Sequence, residues 1–236
     1  MKPLLLFAAV AVLLGLAWIF RKKTNLTATP TDFVTLQPNP NAEDLRPVVS
    51  SEWMQQLVDS FANKPYDKYQ NLHFAFANKL CDQVYRESAY WEQKQTHAEF
   101  LNRLNNTQKM YFALINFEGQ TNNGGVYQFL FNQPENSLVV LEAMKKAGLD
   151  QLAGDYEKVL EQFLGKFESI DALRLQFQNQ NADWNKRWQA FVDGYTEIPQ
   201  AEVIESYFYS KNYSQEFHDK MARFVIENRD GLMKPE

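Results

Sequence analysis

The sequence predicts an all-α body carried behind one membrane-spanning helix. Three observations predict it. Leu4 to Phe20 is an unbroken apolar run. From Val48 to Lys234 only Pro65, Pro134 and Pro199 occur, each between periodic stretches. Within those stretches apolar residues recur three and four apart, and strict alternation of any useful length is absent. The expectation is a single multi-helix domain of about eight helices over residues 48–236, without internal repeats.

The apolar run comes first in the chain. At about 1.5 Å per residue it spans roughly 26 Å, close to a bilayer core of about 30 Å. It ends in Ala17-Trp18-Ile19-Phe20 and meets Arg21, Lys22 and Lys23 at once. Bulky and cationic residues stand where a signal protease needs small neutral ones, so the run reads as an uncleaved anchor. The three cations outnumber Lys2 and the terminal amine, which places the body in the cytoplasm. An exported body is the alternative.

Residues 24–47 read as a tether. Pro30, Pro38, Pro40 and Pro47 lie here, and proline lacks the donor that helices and central strands need. A flexible spacer is expected, with Phe33, Val34 and Leu36 available to rest on the body.

The helices follow in order. Ser50 or Ser51 caps one that carries Trp53, Leu57, Val58 and Phe61. After Pro65 a long stripe runs through Tyr69, Leu72, Phe76, Leu80 and Val84, with His73 beside it and Cys81 as a small helix residue. Thr96-His97-Ala98-Glu99 is a capping box opening the next stripe, Phe100 to Ile115. Leu149 to Phe167, Trp184 to Tyr195, Ile204 to Phe208 and Phe217 to Val225 repeat the same period.

Charge narrows the function. The chain has 24 basic and 29 acidic residues, a net of −5. Residues 1–23 hold four of the cations and no acid, so the body carries 20 against 29, a net of −9. That balance argues against direct nucleic-acid binding and favours a protein partner, a basic one in particular. His73, His97 and His218 are far apart, with His97 inside a cap and His218 in a charged stretch, both expected at the surface. No metal site, nucleophile elbow, phosphate loop or dinucleotide fingerprint is present in the sequence, so no cofactor and no catalytic residue is expected.

One stretch is distinctive. Asn122-Asn123-Gly124-Gly125 is a helix break, because Asn tolerates and caps unusual backbone and Gly supplies positive φ. Beyond it Val126, Phe129 and Leu130 form an apolar edge, while Gln128 and Asn132 share a polar one. Asn132 or Gln133 then caps a new helix with Pro134 in its first turn. The order Asn-Gly-Gly, Gln-Phe-x-Phe-Asn, a helix over 136–147, Gly148 and an amphipathic helix over 149–163 resembles a bacterial family of domains of unknown function. That family takes its name from a DNA-mimic protein. The resemblance covers roughly residues 95–230, and it makes the anchored membrane a bacterial inner membrane. Two positions depart from the family pattern: Gln120 stands where an acid is common, and Val126 where an aromatic is.

The motif has two readings. Asn122, Asn123, the Gly124 and Gly125 amides, Gln128 and Asn132 could converge on a ligand, partner or substrate. Equally, the amides could satisfy nearby backbone while Gly-Gly permits a tight crossing, as buried amides normally do. The resemblance also draws attention to Asp150, Glu157, Glu161 and Glu168, spaced seven, four and seven on one helical face. Such a row could imitate phosphates; the plain alternative is the solvated face of an amphipathic helix. Three functions therefore stand: a membrane-anchored protein-binding module, a small-ligand binder or enzyme using the polar pocket, and an acidic DNA mimic.

Overall fold

The computed structural model describes residues 33–63, 72–90, 96–164 and 198–236, with isolated positions at 92, 93, 189 and 193. The expected membrane helix, Glu168 and the 184–195 stripe, apart from those isolated positions, lie outside the described residues, as do the side chains of Leu57, Phe61 and His73. Among the described residues, no helix is long and apolar enough to cross a membrane.

The body is helical. Helix α1 is Ser51–Asn63, α2 Leu72–Glu87, α3 His97–Arg103, and α4 Asn106–Asn132, which bends sharply near its end. A 3₁₀ turn, Pro134–Asn136, leads into α5, Ser137–Lys146, and then α6, Asp150–Leu164. The C-terminal part holds α7, Pro199–Tyr209, α8, Lys211–Glu227, and α9, Arg229–Leu232. Two very short strands, β1 (Val48–Val49) and β2 (Lys234–Pro235), pair in parallel with Val48 opposite Lys234. This pair brings the C-terminus to the start of α1, a closure no local pattern announces.

Local chemistry sets several ends. The Thr96 hydroxyl accepts from Glu99 N–H at 3.2 Å, and Glu99 accepts from Thr96 N–H at 2.7 Å, completing the expected box. Asn105 caps α4 by accepting from Gln108 N–H at 2.9 Å. Gly148 stands at φ +70 just past α5, where a left-handed residue ends the helix.

Helix α4 is the central post. Phe117 meets Phe129 and Tyr156 edge-on, both at 5.1 Å between centroids, and Phe208 at 6.1 Å. These rings lock both halves of α4 to α6 and α7. A second cluster joins Tyr85, Phe100 and Phe112, with Phe100 and Phe112 5.2 Å apart edge-to-face. Aromatic pairs of this geometry add about 0.5–1.5 kcal/mol each beyond area burial.

Two expectations are corrected. Residues 33–47 are not a free spacer: Val34, Leu36 and Leu45 are buried. Pro-rich chain cannot form helix, but here side chains of α4 and the Arg103 carbonyl of α3 satisfy its backbone. Lys109 Nζ donates to Thr35 O at 3.0 Å, and Asn106 Nδ2 to Leu36 O at 2.8 Å. The expected surface histidines are buried as well, His97 at 7% exposure and His218 at 2%. His97 occupies the first turn of α3 and turns its ring onto Phe100 and Asn136. His218 lies between Phe217 and Glu118, its Nε2 3.3 Å from a Glu118 oxygen.

Candidate functional site: the Asn-Gly-Gly kink and the α6 face

The break expected at residues 122–125 is present: α4 is two helical segments joined across a kink at Gly124 and Gly125. Gly124 has φ −158 and ψ 25, and Gly125 has φ 80 and ψ 176. The second pair lies in a region essentially closed to residues with a Cβ. Gly124 serves a different need. A Cβ there would lie 3.2 Å from Gln128 Cβ and 2.7 Å from its Cδ, and would overlap its Oε1. The two glycines thus divide the work: one supplies backbone freedom and the other supplies space.

The polar residues around the kink part company. Asn122 and Asn123 are exposed at its outer side. Gln128 and Asn132 meet on Gln120, whose Oε1 accepts from Gln128 Nε2 and from Asn132 Nδ2, both at 2.9 Å. Gln120 therefore gathers the two amides onto one carbonyl oxygen. A carboxylate at that position would accept the same two donors, which is why Gln can stand there without losing the arrangement.

A residue that sequence reasoning missed completes the kink. Past Gly125 the helix resumes, and Val126 N–H donates to Glu205 Oε1 at 3.1 Å. Glu205 comes from α7, 79 positions away. A helix start carries orphan N–H groups that favour an anion. Here the protein's own carboxylate fills that role. No local signal could have found Glu205, because the pairing depends on α7 crossing α4.

Downstream the chain stays polar and buried. Asn136 Nδ2 lies 2.9 Å from His97 Nδ1 and 3.2 Å from Gln133 Oε1, which also receives Asn116. Accepting from Asn136 requires His97 to be neutral at Nδ1. Burial favours the same state and pushes its pKa down to about 4. Cys81, half-buried on α2, is driven the other way, up to about 12, chiefly by burial and further by Asp82. A thiol held in that state is a poor nucleophile at neutral pH.

The acidic row is partly realised. Asp150, Glu157 and Glu161 are exposed on the outer side of α6, whose inner side buries Leu152, Tyr156, Val159 and Leu160. Glu157 is bridged to Lys145 of α5 at 2.9 Å. Asp155, on the same helix, faces inward instead. It accepts from Gln200 Nε2 at 2.9 Å, Tyr207 Oη at 2.9 Å and Lys158 Nζ at 3.1 Å, tying α6 to α7. Burial and the Asp155 carboxylate raise the Tyr207 hydroxyl to about 12, so it stays a donor.

The arrangement sets two exposed amides beside the kink and an exposed acidic row on α6. No curated protein and no solved structure matches the chain. A family model does: the DMP19-like protein model matches residues 102–228, from the end of α3 to the end of α8. The match takes in the kink, the Gln120 amide cluster, Glu205 and α6, and it covers more than half of the chain. The chain belongs to the DMP19-like protein family.

Proposed function

We propose that the body is a protein-binding module, carried on the Leu4–Phe20 anchor and facing the cytoplasm. The observation that supports it is the partition at the kink. Gln120 takes up the amides of Gln128 and Asn132, and Glu205 takes up the Val126 N–H, whereas Asn122 and Asn123 point outward. The motif then serves to present two amides at the kink of a rigid post. The α6 row of Asp150, Glu157 and Glu161 is the second part of the contact surface, and it suits a basic partner.

The test is affinity capture from detergent-solubilised membranes with the intact anchor. A specific partner should come down with the unmodified chain. Capture should fall at least tenfold with Asn122→Ala/Asn123→Ala or with Glu157→Lys/Glu161→Lys, while thermal melting stays within a few degrees. Partner capture indifferent to both pairs would sink the surface assignment. For topology, a reporter joined after Glu236 should be active only in the cytoplasm; periplasmic activity would reverse the orientation.

DNA mimicry is the second reading, favoured by the exposed carboxylates and by the family. At about 1.5 Å rise the three acids are roughly 10 and 6 Å apart along α6. Lys145 offsets the middle one. If mimicry operates, a short DNA duplex should displace the captured partner, and added salt should weaken capture steeply. Displacement by duplex but not by an unrelated polyanion separates this reading from general attraction between charges.

A further inference from the structure

The C-terminal segment closes against the start of α1 through the β1–β2 pair, and the closure leaves a cavity of about 390 Å³. That volume lies at the small end of the range for ligand sites, about 300–1,000 Å³. Part of the lining is apolar: Val49 and Met233 are buried there, and Met54 and Val58 are half-buried. The lining residues lie outside residues 102–228, so nothing in the family match bears on this cavity.

The polar groups of the lining divide into committed and uncommitted. Ser50 Oγ accepts from Trp53 N–H at 3.2 Å, and Gln55 Nε2 donates to Asp59 Oδ1 at 2.8 Å. Lys234 Nζ stands 3.2 Å from Asp44 Oδ2. Asp44 also accepts from Arg46 Nε at 2.7 Å and Nη2 at 2.9 Å, so two cations share one carboxylate. Arg229 differs. Its Nε is 3.8 Å from Asp230 Oδ1, beyond hydrogen-bond reach, and the Asp230 side chain is fully exposed. Among the described residues its guanidinium forms no hydrogen bond. Arg46 reaches the same corner, donating to Asp230 O at 2.8 Å. Arg46, Arg229 and Lys234 thus stand against Asp44 and Asp230, a local positive excess on an otherwise acidic body.

We propose that the cavity binds a small carboxylate with a short unbranched apolar chain, a medium-chain fatty acid by class. The uncommitted Arg229 fork matches a carboxylate in a bidentate pair. The chain lies against Val49, Met54, Val58 and Met233. Methionine thioethers are flexible and adapt to a tail of no fixed shape. The tail is apolar because Ser50, Gln55 and Lys234 are already bonded, and a polar tail would be buried without partners. The same reason disfavours a peptide end, whose amides would need those partners. The inference goes beyond the partner-binding reading and uses neither the kink nor α6.

The test follows the methionine methyl groups by NMR in the full chain, held in lipid nanodiscs. Sodium octanoate should shift the Met54 and Met233 signals saturably and leave Met144, buried on α5, unmoved. Arg229→Gln should weaken binding by about tenfold or more, the size of a lost charged hydrogen bond. The Arg229 side chain is 65% exposed, so the melting temperature should not change. Asp230→Asn removes the competing carboxylate and should tighten binding by about twofold, the size of a screened surface charge pair. Octan-1-ol, with the same chain and no charge, should bind far more weakly at equal free concentration. No saturable shift at Met54 and Met233 overturns the proposal. So does octanoate binding that Arg229→Gln leaves unchanged, or octan-1-ol binding as well as octanoate. N-acetyl-leucine binding more tightly than octanoate overturns it too, since the occupant would then be a peptide end.

Discussion

The kink at Gly124–Gly125 and the strap at residues 33–47 are two irregular stretches held by opposite means. At the kink the backbone itself is unusual, and the side chains around it follow. Gly125 adopts φ 80 and ψ 176, and Glu205 arrives to cap the N–H this exposes. In the strap the backbone is irregular, with a turn at Asn39–Ala42 and no positive φ, and side chains of the body reach out to it. Arg103 grips Glu43 at 2.6 and 2.8 Å, and Lys109 and Asn106 hold two carbonyls. One stretch is specified by its own residues and the other by its surroundings. Substitutions should therefore act in opposite ways in the two places.

The largest effect is expected at Gly125. Gly125→Ala forces a Cβ into a backbone region reserved for glycine, at a buried position, and should cost about 1–3 kcal/mol. Thr35→Ala in the strap leaves the carbonyl that Lys109 uses and should stay within about 0.5 kcal/mol. Urea melts of the two variants check the contrast. Equal losses would mean that the kink is not determined by its backbone.

His97 sits beside the strap, bonded to Asn136 next to the Glu135 carbonyl that Val34 uses. Its folded pKa of about 4 lies below the ordinary value of about 6.5. The unfolded chain therefore binds the proton first. Stability from this group is complete above about pH 6.5 and declines as pH falls toward 4, by roughly 2–3 kcal/mol in all. Melting temperature followed from pH 7 to 4 should drop more for the unmodified chain than for His97→Gln. Parallel curves would exclude His97 as the source.

Glu205 should matter less. Glu205→Ala removes the carboxylate at Val126 N–H and should cost about 1–2 kcal/mol, the range for losing a helix cap. Glu205→Gln keeps an oxygen acceptor and should recover part of that. A neutral Glu205→Ala would mean that water caps the second half of α4 equally well.

Much of this was legible in the sequence. The Thr96–Glu99 box, the helix periods and the glycine pair each carry their cause within four residues. The family motif was readable for the same reason. Glu205 was not, because its partner stands 79 positions away and only the packing of α7 on α4 brings them together. The strap was not, because prolines and threonines announce a lack of helix, and what replaces it depends on Asn106 and Lys109. The two histidines are not legible as buried because a cap and a charged neighbourhood both suggest surface, while their inward setting depends on distant partners, Asn136 for His97 and Glu118 for His218. Asp155 stands outside the row of Asp150, Glu157 and Glu161, and its inward role depends on Gln200 and Tyr207, 45 and 52 positions away.

The smallest effect tests the strap from its outer end. Arg103 holds the Glu43 carboxyl below its usual range by hydrogen bonding first and by charge second, with burial opposing. The Glu43 side chain is nonetheless 45% exposed, so solvent screens most of that attraction. An exposed pair of this kind contributes below about 1 kcal/mol. Its contribution is present above the unfolded carboxylate pKa and is lost as pH falls through the lowered folded value. Glu43→Gln should therefore shift the urea midpoint slightly at pH 7, and the shift should shrink in high salt. The amide still offers an oxygen to Arg103, and Arg103 Nη1 keeps its bond to Ser88 O at 2.8 Å, so the wall beside the strap stays in place. A loss above 2 kcal/mol would mean that the strap is anchored at Glu43 and not at Val34 and Leu36, and its inner end would then be the part held by its surroundings least.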